Sequence, residues 1–185
     1  MFSFRFVKNK ETVLLKIGGG NGSVYASSGS GSNRYYVYTP SGYAVSATYS
    51  TSQTVNSVAS CTQLATQYHA TLYSVSVQEY NCHTYAWISQ RPAYSSNYTH
   101  IWINSTSTLT SDSFYSHQNT VHAVGDIACN GNTHSAFVYA LNQYNSSNGM
   151  YQTKYKSKWG YSGIFIHFWD GMPYYNGVNP VYYWH

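Results

Sequence analysis

The chain has 185 residues, of which only 8% are charged, against roughly 25% in an ordinary soluble protein. No apolar stretch approaches the roughly 18–20 residues that a membrane-spanning helix needs, and 22 Tyr, 7 Phe and 5 Trp are too many for a disordered chain. Nine Lys and Arg against five Asp and Glu give a formal charge of +4, without the dense basic stripe that nucleic acid requires.

Residues 1–49 read as a glycine-rich N-terminal segment with short strands. Thr12 to Ile17 is strand-like. Gly18-Gly19-Gly20-Asn21-Gly22 and Ser27 to Asn33 follow as linker, because no Gly-Lys-Ser/Thr turns the glycines into a phosphate loop. Tyr36, Tyr38, Tyr43 and Val45 alternate about Pro40-Ser41-Gly42, which predicts a hairpin. Met1 to Lys10 lacks the layout of a signal peptide. Low charge with abundant small polar residues and Tyr nevertheless suits an exported protein, so the expected location is extracellular or at the cell surface.

Residues 50–185 read as one folded domain. From Val55 to His69 the apolar spacing is helical, with Thr54 or Asn56 as the cap. Leu72 to Val77 is strand-like or a loop. Asn81 is a good N-cap and places Cys82 at the first position of the next helix. Residues 89–120 look like loop. Gly125-Asp126 leads into a strand at Ile127-Ala128-Cys129, Asn130-Gly131 supplies a hairpin turn, and His134 to Leu141 is the clearest strand. A loop over 142–149 and strands at Tyr151 to Lys158 and Ile164 to Trp169 complete the pattern. Lys154, Lys156 and Lys158 fall on one strand face and read as a solvated edge or sheet face. A helix followed by strands, with no βαβ alternation, predicts an α+β fold with an antiparallel sheet.

Three cysteines leave at least one without an internal partner. The absence of a CxxC pair excludes a zinc ribbon or a thioredoxin motif. With Cys61 and Cys129 paired or simply buried, Cys82 is the free thiol. At a helix start, unpaired N–H groups favour the thiolate and can bind an oxyanion. A nearby imidazole would supply the acid and base for acyl transfer. Among eight histidines, His83 points about 100° away from Cys82 on a helix, whereas His134 opens a rigid strand just after a tight turn. His117 and His122 are five apart, not the four of a helical metal pair, so no metal site is expected. The few carboxylates offer no pair for glycoside chemistry.

The strings Asn81-Cys82-His83-Thr84-Tyr85-Ala86-Trp87, Gly125-Asp126-Ile127 and His134-Ser135-Ala136-Phe137-Val138 together resemble the papain-like cysteine hydrolases of the NlpC/P60 and CHAP type. With Ser157-Lys158-Trp159-Gly160, His167 and Pro173-Tyr174, the pattern is similar to a subgroup of uncharacterised bacterial proteins with an Asn-Cys-His-x-Tyr-Ala-Trp motif. The resemblance covers roughly residues 55–185. It implies a papain-like fold with a nucleophile helix packed on an antiparallel sheet, a Cys82/His134 dyad, no cofactor, and cleavage of an amide bond in peptidoglycan peptides or another peptide.

Such hydrolases carry a polar residue on the strand after the histidine strand, to orient the imidazole. Parity on Tyr151 to Lys158 puts Tyr151, Thr153, Tyr155 and Ser157 on one face, making Ser157 the candidate and His167 a second. Tyr80 could add a hydroxyl to an oxyanion site built on the Cys82 N–H. Trp87 and Trp159 are core or cleft wall, and Asp126 is a cap for backbone donors. The alternative function, from another class, is a catalytically inactive exported domain that binds glycan or protein through a Tyr- and Trp-rich surface.

Overall fold

The computed structural model of the chain describes residues 15–16, 25–28, 34–49, 56–75, 80–89 and 101–184. Two antiparallel sheets dominate these residues. The first takes β1 (Leu15–Lys16), β2 (Tyr25–Ser28), β3 (Arg34–Tyr38), β4 (Ala44–Tyr49) and β6 (Ile101–Ile103), in the order β1-β2-β3-β4-β6. The second is built from β5 (Thr71–Ser74), β7 (Ser116–Gln118), β8 (Ile127–Asn130), β9 (His134–Asn145), β10 (Met150–Lys158), β11 (Ile164–Phe168) and β12 (Val181–Trp184). Its order is β5-β11-β10-β9-β8-β12-β7. Helix α1 spans Val58–Gln67, α2 spans Cys82–Thr84 and runs into a wider π-helical turn over Tyr85–Ser89, and α3 spans Ser107–Thr110.

Alternation along the strands divides the apolar side chains between two cores. Cys61 and Ala65 of α1 pack against Ala128, Ala136, Val138, Tyr155 and Phe165 on one face of the seven-stranded sheet. On the other side, Ile127, Cys129 and Tyr183 join Ala86, Trp87, Ile88, Ile101, Ile103, Val37 and Val45. Strands β3 and β4 therefore share a core with the Cys82 helix, and β4 pairs directly with β6. The expected boundary between residues 49 and 50 does not separate two cores: residues 34–49 belong with the chain that follows.

The Thr39–Tyr43 hairpin, α1 and strands β8 to β11 lie where sequence patterning puts them. Several details differ. The α1 cap is Ser57, whose hydroxyl accepts from Ser60 N–H at 3.1 Å, while Asn56 reaches across to Ser162. Residues 89–120 hold β6, α3 and β7 within their described part, and His117 lies in β7. Strand β9 continues to Asn145, which shortens the expected loop. All three cysteines are free thiols, so Cys61 and Cys129 do not pair. Residues 12–14, 17–24, 29–33, 54–55 and 76–77 lie outside the described residues, and with them the glycine run and Thr54.

Strand β10 is internal, between β9 and β11, so its lysines do not guard an edge. Lys158 is fully buried; its Nζ donates to the carbonyls of Gly160 at 2.6 Å and Ser162 at 2.9 Å and lies over the Tyr80 ring. Lys156 is half-buried against the rings of Tyr73, Phe137 and Tyr139. The register with β9 slips between Gln152 and Tyr155, the extra residues lying on β9.

Candidate active site

Asn81 fixes the start of α2. Its Oδ1 accepts from the Thr84 N–H at 3.0 Å and its Nδ2 donates to the Ile103 carbonyl at 2.7 Å. The Thr84 hydroxyl reaches the Ile101 carbonyl at 2.7 Å and accepts the Ile103 N–H at 3.3 Å. One capping residue and one hydroxyl thus bolt the helix onto β6 and set Cys82 at the first helical position. The chain then turns so that His83 faces the opposite side of β9 from His134: its Nδ1 is 2.8 Å from Ser135 Oγ and its Nε2 3.1 Å from the Asn132 carbonyl.

His134 enters from β9 directly after the tight turn at Gly131, whose φ of 51° suits glycine. Cys82 and His134 come together in the interior, with Cys82 8% exposed and His134 fully buried. Burial pushes the Cys82 thiol up, but the adjacent His134 imidazole and the backbone N–H groups of Ser135 and His83 more than reverse this, leaving it below the ordinary thiol value. For His134, burial works against protonation and the Cys82 thiolate works for it, so the two titrate as a pair. The contrast with Cys129 is direct: burial there outweighs the hydrogen bonds with Ser135 and Thr106, and the thiol is pushed up to about 11.

The imidazole is held by its far nitrogen. His134 Nε2 lies 2.9 Å from Ser157 Oγ. The same oxygen lies 2.7 Å from His167 Nε2 and accepts the Trp159 indole N–H at 3.1 Å. The other nitrogen, Nδ1, is buried and makes no settled hydrogen bond among the described residues. It is the nitrogen left for the thiol. His134, Ser157 and His167 come from the neighbouring strands β9, β10 and β11 and form a row across one sheet face.

The structure brings together Cys82, His134 and Ser157, and adds His167 to them. Trp87 and Trp159 are buried, and each donates its indole N–H to a serine, Trp87 to Ser135 at 3.0 Å and Trp159 to Ser157. Neither presents a ring face to solvent. Tyr80 is buried, stacked on Tyr85, with Lys158 over its ring. Asp126 accepts the N–H groups of His122 at 2.7 Å and Ala123 at 2.8 Å, shaping the approach to β8. Tyr174, part of the Pro173-Tyr174 pair in the resemblance but given no role there, stacks on the His134 ring.

Among the described residues no group of three His, Cys, Asp or Glu is placed to hold a metal ion, and no helix is long and apolar enough to cross a membrane. Comparison with family models, with curated proteins and with solved structures found no match.

Proposed function

We propose that the chain is a cysteine hydrolase of papain-like type that cleaves an amide bond in peptidoglycan peptides or another peptide, with an extracellular or cell-surface site of action. What supports this reading is one observation: a thiol held below its ordinary pKa beside an imidazole whose Nε2 is pinned by Ser157 and whose Nδ1 remains open. His134 takes the Cys82 proton, and the sulfur attacks the scissile carbonyl carbon. The oxyanion is held by the Cys82 N–H. As the tetrahedral intermediate collapses, His134 returns that proton to the leaving amine and an acyl-enzyme forms. A water, deprotonated by His134, then releases the acid and restores the thiol.

The test begins with iodoacetamide alkylation against pH on the wild type and His134→Ala, with the site assigned by mass spectrometry. The expected result is an apparent Cys82 pKa well below about 8.5 that rises when His134 is removed. Muropeptides and short peptides are then offered, with Cys82→Ser as the inactive control. A Cys82 that titrates like a free thiol in both proteins sinks the reading.

A second reading draws on the exposed tyrosines Tyr73, Tyr139, Tyr144 and Tyr151, while Cys82 itself shows little surface. In it the chain binds glycan or protein without cleaving it. Retention on insoluble peptidoglycan by wild type and Cys82→Ser alike, lost on Tyr→Ala substitution of these residues and with no product released, would favour that function.

A further inference from the structure

Building on the reading of Cys82 and His134 as nucleophile and base, we propose that His167 is a positioning residue that dictates, through the Ser157 hydroxyl, which nitrogen of His134 is bare. The argument follows protons along the row of side chains. His167 Nδ1 lies 2.7 Å from the Phe168 carbonyl, which can only accept, so Nδ1 carries a hydrogen. Burial pushes His167 down to about 4, so at neutral pH the ring is uncharged and its Nε2 is a lone pair.

That lone pair lies 2.7 Å from Ser157 Oγ and requires a donor, which the Ser157 O–H supplies. A hydroxyl has one hydrogen and two acceptor sites. Trp159 Nε1–H fills one site at 3.1 Å, and the other faces His134 Nε2 at 2.9 Å. His134 Nε2 must therefore be the protonated nitrogen. The uncharged imidazole is then locked with Nδ1 as the base, the form that can accept the thiol proton. After transfer, the imidazolium keeps its Nε2–H on Ser157, so nothing in the row has to turn.

Ser157 alone could not impose this polarity. A serine without His167 can rotate its hydrogen toward His134 Nε2 and so stabilise the opposite tautomer, in which Nδ1 is already protonated and useless as a base. The titratable neighbours do not disturb the order. Around His167 stand His134 on β9 and Tyr155 on β10, each with ring centres 6.2 Å away. Tyr155 shares a hydrogen bond with Tyr182 at 2.6 Å and is held neutral by burial, as is Tyr174 against His134. His83 acts on His134 from the other sheet face and Asp170 acts on Tyr155.

The decisive measurement is nitrogen-15 NMR of labelled histidine at pH 7, in the full chain with Cys82→Ala so that His134 is uncharged. The expected pattern is Nδ1–H on His167 and Nε2–H on His134, a bare Nδ1 remaining on the latter. His167→Phe should move the bare nitrogen of His134 to Nε2, and His167→Gln, whose amide oxygen still accepts from Ser157, should restore the original tautomer. With Cys82 present, His167→Phe and Ser157→Ala should each slow alkylation at pH 7 by about tenfold, and the double variant should be no slower than Ser157→Ala. Nδ1–H on His134, or multiplying losses in the double variant, overturns the proposal. The tautomer pattern needs no second substitution, so a variant that fails to fold does not remove the test. Amide turnover is read separately: the expected tautomers without cleavage sink the hydrolase reading alone, and cleavage with the opposite tautomer sinks this one alone.

Discussion

The ring of Tyr174 lies flat on the imidazole of His134, with centres 4.7 Å apart and planes 17° apart. Ser157 fixes the His134 ring at one nitrogen only, and a ring hinged at one point can still tilt. The tyrosine face removes that freedom. Stacking of this kind contributes about 0.5–1.5 kcal/mol beyond burial. Tyr174→Phe should leave Cys82 alkylation near the wild-type rate, whereas Tyr174→Ala should slow it severalfold, up to about tenfold. Equal rates in both variants would mean that the stack has no part in aligning the imidazole.

Acid should unfold the protein through its buried histidines. His83 and His167 are both pushed down from 6.5 to about 4 by burial. In the unfolded chain they bind protons below about pH 6.5, and in the folded chain only near 4, so the unfolded state holds more protons between these values. Stability is full above pH 6.5 and falls as pH drops toward 4, by on the order of 3 kcal/mol for each histidine. Urea unfolding at intervals from pH 7 to 4.5 should report an uptake approaching two protons from these two rings, to which His134, also held down by burial, adds. A stability that stays flat across this range would falsify the assignment of both rings as neutral.

Asn81→Ala should weaken the fold and the thiolate together. It removes a helix cap, which costs about 0.5–2 kcal/mol, and the bond to the Ile103 carbonyl, about 1 kcal/mol more. Because the cap sets where α2 begins, the N–H of His83 shifts from the sulfur as well. The expected outcome is a lower urea midpoint with an unchanged slope, and a higher apparent Cys82 pKa. Asn81→Asp keeps the cap but loses the Nδ2 donor, and should fall between the two.

Gly163 sits where β11 begins to pair with β5, and a methyl group there would run into the Ser74 carbonyl oxygen. Backbone cannot swing aside as a long side chain can. Gly163→Ala should therefore cost about 1–3 kcal/mol, the usual range for overpacking. Strand β5 should show the earliest loss of amide protection in hydrogen exchange. Unchanged protection at Leu72 and Tyr73 would show that the two strands can part without penalty.

Local chemistry is what the sequence makes legible. An asparagine before a cysteine marks a helix start whichever fold surrounds it, and strand parity places Ser157 opposite Lys156 and Lys158. Long-range partners leave no such mark. Nothing near Trp159 indicates that its indole N–H feeds Ser157, and nothing near Phe168 indicates that its carbonyl orients a histidine. Lys158 illustrates the same limit from the other side. Its charge predicts solvent, yet the turn after β10 brings two carbonyl oxygens within reach of its ammonium and the sheet closes over it. Strands β7 and β12 are short, and their pairing across a wide separation carries no periodic signal. Strands β3 and β4 are legible as a hairpin, but not as one wall of the core beneath Cys82.

The place of β12 bears on how the molecule is made. It lies between β8 and β7, so β7 has no neighbour in the sheet until Val181–Trp184 has been synthesised. A growing chain emerging from the ribosome can assemble β8 to β11, which follow one another as hairpins, but must keep β7 waiting with its backbone groups on water. The aromatic side of Tyr183, which ends against Trp87, arrives with the same late strand. Closure of the core beneath the Cys82 helix is thus delayed until β12 has been made.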